Sequence, residues 1–406
     1  MLLGDVRIID DDGSTDTLCI HTTAKNSLVY QWNSILSYFD NIDSYILFIR
    51  YCYKSSNSVP SHDLSKHVSA DMIDQLKNNP KVHLIIYSIE HITAMVDDIY
   101  KFLADYDISH SKVILICELP TIDKKVKKIA QAYNLGEISC YFLSMNEFDI
   151  HKQLRRLYPT YSKLSVEKKP YSTSFLNFNR KWRLHRFLFV NLLLCNDMLD
   201  RGMISLTDVD GEECDRRMLF DQVLNSPLID IDTKKLFVHN KNEILNLQNL
   251  EVDDINLANN IDCIKLQLIE SAMLPYRNTY FSAVSETFFF KELETDNTHT
   301  DAFITEKTFK TVSHKHPFIL IARPGTLSLF KSMGYRSFSP YINESYDDIQ
   351  DDMERMTAIL AEIKRLDELS EDELFEFIDN VSPILEYNFN RLVSKADNQF
   401  VTKLPL

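Results

Sequence analysis

Uninterrupted apolar runs punctuate the first third of the chain. Tyr45-Ile46-Leu47-Phe48-Ile49, Val82-His83-Leu84-Ile85-Ile86-Tyr87 and Val113-Ile114-Leu115-Ile116-Cys117 have strand length. Runs without polar alternation fit strands buried on both faces, as in a parallel sheet. Between them the spacing turns helical over 70–78, 92–106 and 123–133. In the last of these, Val126, Ile129, Ala130 and Tyr133 share one side. Strands separated by helices of this length predict an α/β class with a doubly wound parallel sheet.

From His151 to Pro170 the chain is charged and carries two breakers, Pro159 and Pro170, which reads as a linker. Beyond it, 174–179 and 204–206 read as strands around an apolar helix over 187–199. The span 207–262 is acidic and irregular, with short helices. Thr279-Tyr280-Phe281-Ser282-Ala283-Val284 and Pro317-Phe318-Ile319-Leu320-Ile321-Ala322 are further strands, the second closed by Arg323-Pro324-Gly325. Between those two, Thr305 caps a helix that opens Glu306-Lys307-Thr308-Phe309-Lys310, with the carboxylate in the first turn where it suits the dipole. Helices follow over 328–335, 349–366, 371–379 and 382–392. The expected division is an N-terminal domain over 1–160 and a C-terminal domain over 171–406. A length of 406 residues, too long for one ordinary core, agrees with two.

Composition narrows the chemistry. The net charge of -15 repels nucleic acid overall, so such a partner needs a local basic groove. The seven glycines form neither a Gly-x-Gly-x-x-Gly nor a P-loop, so a nucleotide is not held by those backbone cradles. The seven cysteines are scattered without a Cys-x-x-Cys pair, which predicts no zinc site and a reducing, cytoplasmic setting. The N-terminus lacks a signal-peptide core, and no window approaches ~18 apolar residues, so no membrane span is expected.

Against this acidic background Arg180, Lys181, Arg183, His185 and Arg186 crowd a strand-to-helix junction. Such clusters are usually solvated helix ends. Here the cations oppose the dipole of the helix they open, which favours an anion as their partner. Guanidinium forks fit phosphate oxygens. Glu306 and Lys307 suit ribose hydroxyls and phosphate respectively, although by chemistry alone they read better as a surface dipeptide. Lys310 and Arg323 add to the positive field. Glu118 follows the run 113–117 at the carboxyl end of a parallel strand, facing the crevice where such sheets bind ligands. Partial burial there would raise its pKa toward that of a general base. Glu90 and His91 hold an equivalent edge position. Asp208-Val209-Asp210 matches the Asp-x-Asp of metal-binding sugar transferases, but with 59 acids in the chain it reads as a loop. His314-Lys315-His316 lacks metal-site spacing and reads as a cation cluster at a helix C-terminus.

With these residues in place, the region from Tyr280 to Lys310 resembles the signature of the α-1,3-fucosyltransferase family. Tyr280-Phe281-Ser282-Ala283-Val284-Ser285-Glu286 stands for its aromatic strand and Ile304-Thr305-Glu306-Lys307 for its helix start. Pro317-Phe318-Ile319-Leu320-Ile321 is similar to the strand that follows. Asn179 with Arg183 or Arg186 looks like the Asn and Arg that open its C-terminal domain. Cys117-Glu118-Leu119-Pro120 resembles its Phe-Glu-Ser-Pro segment. Ser285-Glu286-Thr287 replaces the family's Glu-Asn-Ser. The layout also looks like glycosyltransferases carried by large phages and viruses. The resemblance implies a GT-B architecture, two Rossmann-like domains facing each other across a cleft. It implies an inverting transfer that needs no metal and no cofactor beyond a UDP- or GDP-linked sugar. Glu118 would be the base, and Glu306, Lys307, Arg183, Arg186, Asn179, Tyr280 and Lys310 would hold the donor. Two acceptors compete. One is a glycan. The other is 5-hydroxymethylcytosine in phage DNA, receiving glucose or arabinose, with Lys124, Lys125, Lys127 and Lys128 as the basic groove. A third alternative is an inactive transferase-like binding module.

Overall fold

The computed structural model describes residues 5–9, 15–19, 46–51, 64–66, 68–80, 82–88, 92–165, 173–179, 182–206, 216–247, 250, 270–290, 302–396 and 400–403. The chain divides into two compact units. One comprises Met1–Met145, Thr295–Asp301 and Ala396–Leu406; the other comprises Asn146–Glu294 and Ala302–Lys395. Both are α/β units with parallel strands, compatible with Rossmann-like folds.

The first unit is built on β1 (Asp5–Ile9), β2 (Thr15–Cys19), β3 (Ile46–Tyr51), β4 (His83–Ser88), β5 (Val113–Cys117), β6 (Ser139–Leu143) and β11 (Val401–Lys403). Their order across the sheet is β11-β6-β5-β4-β3-β1-β2. The five central strands run parallel, while β2 and β11 are antiparallel edges. Helices α1 (Ala70–Asn78), α2 (Ile92–Tyr106) and α3 (Ile122–Ala132) make the crossovers from β3 to β6. Each crossover steps in the same direction, and right-handed connections that do so lay their helices on one face. Leu84, Ile86, Leu115 and Cys117 accordingly share a core with Leu76, Ile99 and Val126 of the three helices. The doubly wound expectation is therefore corrected for the described part of this unit. Apolar runs reveal that both strand faces are buried, as Ile85 and Ile116 on the other face are, but not which element covers each.

The second unit begins with α4 (Met145–Tyr161), all but its first residue. The stretch read as a linker is thus helical as far as Tyr161. Ile150, Leu154 and Tyr161 are buried in the core of this unit, and that packing carries the helix past Pro159. Next come β7 (Phe175–Asn179), α5 (Leu184–Cys195) and β8 (Gly202–Leu206). A helical layer follows, with α6 (Arg216–Asn225), α7 (Ile231–His239), α8 (Lys241–Asn246) and α9 (Glu270–Arg277). The chain then forms β9 (Phe281–Ser285), α10 (Glu306–Ser313), β10 (Phe318–Ile321), α11 (Thr326–Ser332), α12 (Asp352–Asp367) and α13 (Glu371–Ser394). The two helices expected over 371–392 are one helix that runs through Pro383, with Val381 and Leu385 buried on either side of it. All four strands are parallel, in the order β10-β9-β7-β8. No described helix is long and apolar enough to cross a membrane.

Candidate functional site

Strand β7 is followed by β8 on one side, and β9 is followed by β10 on the other. The carboxyl ends of β7 and β9 are therefore neighbours whose chains leave in opposite directions. Open α/β sheets bind ligands in the crevice that such a switch creates. Backbone pairing of these strands involves Phe175 with Phe281 and Leu176 with Ser282. Further along, a side chain bridges the gap: Asn177 Nδ2 donates to Ala283 O at 2.6 Å and to Ser285 Oγ at 3.1 Å.

Helix α10 starts at this edge. Thr305 is its N-cap, with extended backbone and a hydroxyl that accepts from the Lys307 amide at 3.4 Å. What fixes the cap is Glu286, one residue beyond β9 and fully buried. Its carboxylate accepts from the Thr305 amide at 3.1 Å and from the Thr305 and Thr308 hydroxyls at 2.6 Å each. Its amide donates to Ile321 O at 3.1 Å. Its carbonyl accepts from His185 Nε2 at 3.0 Å and Arg186 Nη2 at 3.5 Å. One residue thus joins the ends of β9 and β10 to the first turns of α5 and α10.

The cations gather around the next two residues. Arg183 Nη1 donates to Thr287 O at 3.1 Å, and Lys307 Nζ lies 3.4 Å from Thr287 Oγ1. The Phe288 ring lies 5.9 Å from the Arg183 guanidinium and 5.0 Å from that of Arg323. Arg323 is itself buried and donates twice to Phe290 O. Lys307 Nζ also meets Thr305 Oγ1 at 3.0 Å and Glu306 Oε1 at 3.1 Å. The Lys307 and Glu306 side chains keep 25% and 17% exposure, enough to meet a ligand. Burial pushes the Glu306 carboxyl up, but Lys307 and Lys310 outweigh it and hold the group below its ordinary pKa. His185 is driven the other way. Burial first, then Arg186 and Arg183, depress its pKa well below the usual range, so it serves this edge as a neutral ring.

Asn179, Arg183, Arg186, Glu306, Lys307 and Lys310 are therefore brought to one edge of one sheet. Arg186 is buried against Glu286, which leaves Arg183 as the more accessible arginine. Tyr280 is not brought there. It precedes β9, donating its amide to Ser174 O, about 20 Å from Glu286 at ~3.3 Å per residue. Glu118 belongs to the first unit, directly after β5, and is buried at 4% exposure. On the nearby α3, Lys124, Lys127 and Lys128 are exposed. Arg180, Lys181, Glu90, His91, Asp208 and Asp210 lie outside the described residues.

The reading of His314 and His316 as cations is corrected. Both are buried, and burial lowers their pKa values to about 3 and about 4. The His314 ring stacks on Tyr276 at 3.9 Å, and His316 Nδ1 meets Ser282 Oγ at 2.8 Å. Sequence reasoning missed the roles of Asn177, Glu286, Thr287 and Phe288. Only Glu286 carried a signal, as a carboxylate at the end of an apolar strand.

No known protein family, curated protein or solved structure matches the chain.

Proposed function

We propose that the second unit binds a nucleoside diphosphate sugar and that the protein is a glycosyltransferase. The observation that carries this reading is the convergence of Arg183 and Lys307 on Thr287 at the switch point of a parallel sheet, beside a charged Glu306. The two cations offer a diphosphate the charge it needs, and they oppose the negative charge that grows on it as it leaves. Glu306, held ionised by Lys307 and Lys310, is an acceptor for ribose hydroxyls. The inverting, metal-independent course and the GT-B pairing of the two units come from the fucosyltransferase resemblance. So does the role of Glu118 as the base that takes the acceptor's proton.

The test is a thermal-shift screen with UDP and GDP, followed by transfer or hydrolysis assays with the matching labelled sugars. One of the two nucleotides raises Tm. Lys307→Ala cuts turnover by at least a hundredfold with its fold intact, while in the same assay Glu118→Gln keeps donor binding and loses turnover. Unchanged donor binding and turnover in Lys307→Ala would sink the donor site, and full activity in Glu118→Gln would remove that residue as the base.

A further inference from the structure

The amides of Asn177 and Asn179 form a relay whose direction is fixed. Asn177 Nδ2 faces Ala283 O, which can only accept, so Asn177 must present Oδ1 on its other side. Asn179 meets that oxygen with its Nδ2. Its own Oδ1 therefore points away from the relay as an acceptor. The backbone of Asn179 is already satisfied through Ser205, whose hydroxyl lies 3.2 Å from the Asn179 amide. Asn179 is 3% exposed, and its Oδ1 is enclosed with no hydrogen-bond donor among the described residues. An enclosed acceptor without a donor weakens a fold, and native proteins carry few of them. This one lies at the carboxyl end of β7, on the strand pair that forms the switch point.

We propose that Asn179 Oδ1 accepts a hydrogen bond from a hydroxyl of the bound nucleotide sugar, so that the site selects a hydroxyl-bearing ligand over a bare polyphosphate. The proposal rests on the donor-site reading above. Phosphate is met by Arg183 and Lys307, whereas an acceptor oxygen repels phosphate and calls for O–H. A site with a buried acceptor discriminates against ligands that cannot satisfy it.

Titration calorimetry of the full chain decides. The ligands are inorganic pyrophosphate, UDP and GDP, the 2′,3′-dideoxy form of whichever nucleotide binds, and that nucleotide carrying a hexose. The wild-type protein prefers a hydroxyl-bearing ligand over its poorer counterpart by about tenfold. Asn179→Leu brings that preference close to one and leaves pyrophosphate affinity unchanged. Asn179→Ala, which removes the amide and adds neither an acceptor nor an apolar branch, does the same. Collapse of the ribose-to-dideoxyribose ratio identifies a ribose hydroxyl, and collapse of the gain from the hexose identifies one on the sugar. Nucleotide binding with both ratios unmoved in the variants overturns the proposal alone and leaves a buried water as the partner of Oδ1. No binding of pyrophosphate, UDP or GDP removes the donor-site reading together with it.

Discussion

At the scale of single residues, burial decides what a charged letter means. Glu306 and Glu286 are the same residue type twenty positions apart. One keeps a partly exposed carboxylate beside two lysines. The other is sealed among hydroxyls and an amide. The sequence pointed to Arg183 as a ligand group because cations at a helix start need an explanation, whereas Lys307 by chemistry alone read better as part of a surface dipeptide. Glu286 showed in the sequence only as a carboxylate at the end of an apolar strand, and its role stayed hidden because its partners come from segments that meet only in the fold. His314 and His316 teach the same lesson from the opposite side. Their folded pKa values lie below the unfolded value of about 6.5, so the fold favours the neutral rings. Their contribution is fully present above pH 6.5 and is lost as pH falls toward about 4 for His316 and about 3 for His314. Urea unfolding at pH 7.5, 6 and 5 should show stability falling by up to about 1.4 kcal/mol per pH unit for each histidine. His314→Phe with His316→Asn should flatten that slope. An equal slope in the double variant would mean that other groups govern acid sensitivity.

At the scale of elements, the strands with unbroken apolar runs and the Thr305 cap were readable, because period and capping chemistry are local properties. The failures were elements whose stability is borrowed from packing. Helix α4 crosses Pro159 on the strength of Ile150, Leu154 and Tyr161, and α13 crosses Pro383 likewise. Strand β6, Ser139-Cys140-Tyr141-Phe142-Leu143, mixes polar and apolar positions and is set by its pairing with β5. Helix α10 depends on one distant carboxylate. Glu286→Ala strips the acceptor from the Thr305 amide and from two hydroxyls, which should cost about 1–3 kcal/mol of stability in denaturant unfolding. A loss too small to resolve would show that water replaces the carboxylate and that Glu286 does not fix the helix start.

At the scale of the whole molecule, the chain first enters the second unit at Asn146 and last leaves it after Lys395, with Thr295–Asp301 returning to the first unit in between. These two points are tied together. Lys395 Nζ lies 2.7 and 2.8 Å from the Glu147 carboxylate oxygens, and Tyr335 donates to the same carboxylate at 2.6 Å. Glu147 is fully buried, so Lys395→Met should cost about 3–5 kcal/mol by stranding its charge. Lys395→Met combined with Glu147→Gln should recover most of that in the same unfolding experiment, and additive losses would contradict the pairing. No sequence pattern announced this tie, since 248 positions separate its partners. The same return of the chain delivers β11 to the outer edge of β6, where Val401 pairs with Leu143. During synthesis, β6 leaves the ribosome long before that partner exists. Throughout translation of the second unit it presents an open row of backbone donors and acceptors, the feature that invites strands from other chains. The first unit is thus completed only after the second has been made, and its hazard is timed: it ends when β11 emerges and closes the edge.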